Sequence, residues 1–175
     1  MYIVDEGAIE IELAQYVNEM SAADQQLELK LSQLQEVVKA FTAFFEQNLD
    51  FQLLIYPLWN AKDILGHITF WHESFARNIA DLANGKVPSP LKGKLSEMNV
   101  QSTASTRAVP IAELIGRLQR AQHTIESHIH NSNITLIPYK KGSRDYSRLE
   151  HIEVVTGHIQ KHLNDLKKRY DQTKH

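Results

Sequence analysis

Apolar residues recur at helical spacing along most of this chain, while alternating strand patterns are almost missing. That single feature restricts the fold to packed amphipathic helices. Ser21, with Asp24 three residues on, opens a long helix predicted over about 22–48. Its inward stripe is Leu27, Leu31, Leu34, Val38, Phe41 and Phe45. A second helix is expected over about 60–84, with Ile64, Ile68, Trp71, Phe75 and Ile79 inward and Gly85 as its terminator. A third follows Pro110, over about 110–131, burying Ile111, Leu114, Ile115, Leu118, Ile125 and Ile129. The last spans about 148–170 on Ile152, Val155, Ile159, Leu163 and Leu166.

Between the second and third helices, "KVPSPLKGKLSEMNVQSTASTRAV" (residues 86–109) is rich in Pro, Ser and Thr and shows no period. It reads as an irregular crossover of about two dozen residues, far longer than the roughly 2–8 residues usual between bundle helices. The fold class expected is therefore all-α, a four-helix bundle with a long crossover loop. Residues 1–20 add a short helical N-terminal extension with Ile9, Leu13, Val17 and Met20 on one face. With no internal repeat and no composition break, residues 1–175 read as a single domain.

Composition excludes several function classes. A formal charge of −2 and the lack of a basic stripe argue against nucleic acid and anionic lipid as partners. The chain has no cysteine, which removes disulfides, thiolate nucleophiles and Cys-ligated zinc. No long apolar run spans a membrane, and the N-terminus lacks the pattern of a secretory signal, so a cytoplasmic protein is expected.

Nine histidines carry the remaining chemical interest. In "GHIQKHLNDL" (157–166), His158 and His162 stand one turn apart. At 100° per residue both fall on one flank of the last helix's apolar stripe, about 100° and about 60° from its centre, with His151 on the same flank. His67 lies about 80° off the stripe of the second helix, sharing its flank with Asp63 and Ser74, whereas His72 lies on the opposite flank. If these two helices are neighbours, His67, His158 and His162 converge at the mouth of a groove. Three imidazoles suit a divalent ion such as zinc or nickel and leave one position for water, with metal–nitrogen distances of about 2.0–2.1 Å. The competing reading is three boundary histidines bonded to backbone or water.

Flanking residues carry two readings each. Asp63 is either an outer partner of His67 or a residue favoured by the positive end of its helix. Trp71 is expected to line the groove. Lys140, Lys141 and Arg144, in "PYKKGSRDYSR", form either an anion subsite for a carboxylate or phosphate or a solvated turn. His123, His128 and His130, in "HTIESHIH", read as a polar helix face. No catalytic residue is assigned.

"WNAKDILGHITFWHESF", followed about 90 residues later by "HIEVVTGHIQKHLNDL", resembles the DinB-like (YfiT-like) superfamily of metalloenzymes. Trp59, Lys62, Asp63 and His67 match its first motif, and His158 and His162 its second. The resemblance covers residues 27–170 and implies an up-down-down-up bundle, often dimeric, with a divalent metal on the three histidines. It also implies activity on a small-molecule substrate, of hydrolase or thiol S-transferase type, with a low-molecular-weight thiol as a further cofactor. Relatives commonly follow the final histidine with Arg-Gly-Gln, where this chain has Leu163-Asn164-Asp165. Two non-enzymatic readings stand beside it: a small-ligand-binding protein, and an interaction protein that forms a homodimer through Ile3, Ile9, Leu13 and Tyr16.

Overall fold

The computed structural model describes residues 21–174. The extension expected over residues 1–20, and the dimer contact assigned to it, lie outside them. Four long helices form an all-α bundle: α1 (Ala22–Phe45), α2 (Ala61–Ala83), α4 (Ile111–His128) and α5 (Arg148–Gln172), with a shorter α3 (Leu95–Ala104) inside the crossover. Two small antiparallel hairpins complete it. Leu54–Tyr56 (β1) pairs with Trp59–Asn60 (β2), and Ile137–Pro138 (β3) pairs with Asp145–Tyr146 (β4).

Helix starts follow the local chemistry. Ser21, Asn60 and Ser147 each accept the backbone N–H of the residue three positions on, satisfying donors that the first turn leaves free. In α2 and α5 the acid at that position, Asp63 or Glu150, bonds back to the cap. The expected stripes are the buried ones, with only Ile111 and Val155 half-exposed. α2 packs chiefly on α4, and α1 on α5, around Phe41, Phe75, Leu34, Ile64 and Leu118. Burying each such side chain contributes about 1.5–3 kcal/mol.

The crossover departs from the expected irregular segment. α3 has almost no apolar face, burying only Met98, Ser102 and Thr103, so no periodic signal marks it. What fixes it is close approach to α2. A Cβ on Gly66 would come within 1.9 Å of Thr106 Oγ1, so only glycine lets the end of the crossover lie against this turn. Arg107 then grips Asp63 through two bonds of 3.0 and 3.1 Å, and Lys62 Nζ donates to Arg107 O at 2.8 Å. This clamp sets α3 beside His67.

Candidate metal centre

α2 and α5 bring His67, His158 and His162 together. His67 Nε2 lies 3.0 Å from His158 Nε2, which lies 3.1 Å from His162 Nε2. These three are the one group of potential metal ligands found among the described residues. His67 and His162 are buried and His158 half-buried. Four ligands at tetrahedral zinc stand about 3.3 Å apart, close to the separations between these nitrogens.

The outer nitrogens decide whether this is a donor set. Ser102 Oγ gives its proton to Asn99 O at 2.7 Å, so it accepts from His67 Nδ1 at 2.9 Å. Tyr56 donates to the acceptor-only carboxylate of Asp165, so its oxygen accepts from His162 Nδ1 at 2.9 Å. Both rings therefore turn a lone pair on Nε2 toward the shared point. Facing lone pairs repel one another, and a cation there relieves them. The residues fit a divalent metal.

Electrostatics keep the three rings in the neutral form that binds metals. Burial lowers the His67 pKa to about 2, and repulsion from His158 and His162 once they are protonated adds to it. Burial also lowers His158 to about 4, with Lys161 adding to the effect. His162 falls to about 4, again mainly through burial, with His158 and Lys161 lowering it and Asp165 opposing. On the outer side, Tyr56 is raised by burial and by Asp165, while Asp165 is lowered by its bonds to Lys161 and Tyr56.

The histidines open onto a cavity of about 360 Å³. Its walls are mostly apolar, including Trp59, Ile68, Trp71, Phe75, Val155 and Ile159, and the crossover contributes Leu95 and Asn99. Trp59 covers His67 with ring centroids 4.8 Å apart. His151 also lines the cavity, seven residues before His158 and 1% exposed. Asp63 does not reach His67; its carboxylate is taken by Asn60 and Arg107.

The basic loop is placed elsewhere. None of Lys140, Lys141 and Arg144 lines the cavity. Arg144 sits 4.0 Å over the Tyr146 ring and pairs with Glu150 at 3.3 Å, while the Lys141 N–H donates to Leu91 O at 2.7 Å. Lys161 is the one Lys or Arg among the lining residues described.

Sequence reasoning missed Ser102, Tyr56 and Asp165. Only the last left a trace, as the departure from Arg-Gly-Gln after the final histidine.

No family model and no curated protein matches this sequence. Solved structures do. The crystal structure of the mycothiol-dependent maleylpyruvate isomerase aligns with a TM-score of 0.65 at 11% identity, over 80% of this chain and 60% of that one. A histidine-to-alanine variant of the same enzyme aligns equally well. The bundle thus has the fold of a DinB-like protein, which bears out the resemblance at the level of the fold. The chain spans 60% of the length of the structures it matches. No described helix is long and apolar enough to cross a membrane.

Proposed function

We propose that this protein is a divalent-metal-dependent enzyme acting on a small molecule held in the cavity, of hydrolase or thiol S-transferase type. The observation that carries the proposal is the convergence of three Nε2 atoms, two of them oriented by outer partners, in the wall of an apolar pocket. His67, His158 and His162 would hold the ion, with zinc or nickel best suited to imidazole donors. When bound, the ion supplies a Lewis acid that lowers the pKa of a coordinated water or thiol.

The chain's own residues do the rest. Ser102 and the Tyr56–Asp165 pair hold two rings in one tautomer. Trp59 limits water at His67, and Lys161, at the mouth, attracts an anionic group on a substrate or thiol. The likeness in fold to a mycothiol-dependent enzyme supports a low-molecular-weight thiol as cosubstrate. A second reading, a ligand-binding protein without turnover, draws on the lack of any carboxylate among the described lining residues to serve as general base. A homodimer through residues 1–20 is proposed as well. Light scattering at tens of micromolar checks it, and a monomer mass rejects it.

Metal analysis by mass spectrometry after dialysis should find about one divalent ion per chain. The loaded protein is then screened against activated esters, and against electrophiles with a small thiol. Turnover abolished by a chelator supports the enzyme; a stoichiometric ion without turnover in either screen supports the binding protein.

A further inference from the structure

One wall of the cavity, beside the three ligands, holds buried polar atoms that nothing satisfies. Among the described residues, five side-chain polar atoms are shut off from water without a hydrogen-bond partner. Four of them, Trp71 Nε1, His72 Nδ1 and both ring nitrogens of His151, belong to residues that line this one cavity. Leaving such an atom unpaired costs about 1–3 kcal/mol. Unpaired atoms left by packing alone would scatter through the core. Here they gather, because the residues form one connected patch. His151 meets Phe75 at 3.9 Å between ring centroids and Tyr139 at 6.0 Å, Tyr139 stacks on Trp71 at 5.1 Å, and His72 meets Phe75 at 6.4 Å.

The hydrogen-bonding character of the patch can be worked out. Trp71 Nε1 is a donor only. Glu126 accepts from Gln122 Nε2 at 2.8 Å, which turns Gln122 Oε1 toward His72; that oxygen accepts from His72 Nε2 at 2.8 Å. His72 Nδ1 is therefore a bare acceptor. His151, kept neutral by burial, offers one donor and one acceptor. The sum is two donors and two acceptors with no cation among them. Lys161, the cation in the lining, stands ten residues along α5 from His151, about 15 Å by helical rise.

We infer that this wall is a recognition subsite for an uncharged group that both donates and accepts hydrogen bonds, a primary carboxamide or a hydroxyl, on a ligand with a flat apolar body. The aromatic walls take the body. Tyr139 touches both Trp71 and His151 and is the ring that an occupant would displace to reach the polar atoms. His151 lies seven residues from His158, about 10 Å along α5, while the Trp71 ring centroid is 6.5 Å from that of His67, so the group recognised sits beside the metal ligands. A carboxylate is disfavoured, since it has no proton for the two acceptors and finds no counter-charge. As a substrate site the patch rests on the proposed enzyme; as a binding site it does not.

The test uses benzamide, with benzoate and toluene as controls of similar size, titrated into the full chain and into His158→Ala. The readout is the Trp71 indole N–H resonance, assigned against Trp59→Phe. Benzamide should bind at least about tenfold more tightly than either control in both proteins and shift the indole signal, as expected where one side leaves buried groups unpaired. His151→Phe should weaken benzamide about tenfold with metal content unchanged; Trp71→Phe serves in its place if that variant does not fold. Benzoate or toluene binding as tightly, an unmoved indole at saturation, or full affinity in the folded substitution overturns the subsite. Benzamide binding without any retained metal leaves the subsite standing and removes the enzyme.

Discussion

Two groups of three histidines sit in this molecule, and their fates are opposite. His123, His128 and His130 crowd into eight residues at the end of α4 yet share no point. His123 and His130 are exposed, with His130 paired to Glu28 at 3.2 Å, and His128 is half-buried. His67 and His158 are 91 positions apart and bring their nitrogens within 3.0 Å. Density along the chain therefore says little. What matters is the angle at which a residue leaves its helix relative to the buried stripe, and whether a neighbouring helix presents a matching flank.

Substitution breaks this comparison most directly. His158→Ala, His67→Ala or His162→Ala should each remove the bound ion outright, lowering affinity by at least about 100-fold, more than loss of an outer partner costs. His123→Ala and His128→Ala should leave metal content unchanged. Mass spectrometry on the dialysed variants decides; loss of metal in His128→Ala would move the site to α4.

Acid should separate buried from exposed histidines next. Burial lowers the pKa of His72 to about 4, and of His151 to about 4 with a further push from His72. In the unfolded chain both titrate near 6.5, so between pH 6.5 and 4 the unfolded state binds more protons. Their contribution is thus complete above pH 6.5 and is lost as pH falls toward 4, on the order of 3 kcal/mol for each. Urea unfolding in chelator at pH 7, 5.5 and 4.5 should show this decline, deepened by the likewise lowered His158 and His162, and His151→Phe should make it shallower. An unchanged slope would mean that His151 is reached by water in the folded state.

The long helices were legible because burying a stripe imposes a period, and the flanks of the three ligands follow from that period. Other parts carry no such signal. α3 is held by a glycine contact and the Arg107–Asp63 clamp rather than by an apolar face, so its sequence looks aperiodic. The hairpins are too short for alternation to register. Ser102 and Tyr56 reach their histidines across 35 and 106 positions, through tertiary contacts that no local pattern encodes. The basic loop looked like a site because its charges cluster, yet Arg144 is drawn to Glu150 and Tyr146 within its own turn.

Those outer partners sharpen the comparison at a smaller scale. Tyr56→Phe removes the acceptor for His162 Nδ1 and leaves Asp165 with Lys161 alone. Metal affinity should fall about 10–100-fold, with Ser102→Ala acting similarly through His67. Ser127→Ala, which removes a hydroxyl bonded to His123 O on α4, should change nothing. Competition with a chromogenic chelator measures all three. Equal affinity in Tyr56→Phe would show that packing alone orients His162.

The smallest effect expected lies in the turn that delivers Tyr56. Pro57 and Leu58 link β1 to β2, and Leu58 has φ of 70°, a left-handed conformation that a side chain with a Cβ occupies at a cost of about 1–2 kcal/mol. Proline followed by a positive φ is the pattern of a type II turn, whose third position favours glycine. Leu58 is 85% exposed, so its removal gives up almost no packing. Glycine relieves the strain but frees the unfolded chain by about 0.4–1 kcal/mol, leaving Leu58→Gly more stable by about 0.5 kcal/mol. Metal affinity should not change, since Tyr56 and Trp59 stay paired across the turn. Denaturant unfolding and chelator competition on the same variant check both halves. A fall in either would show that the Leu58 side chain has a partner, and that the turn is strained in order to present it.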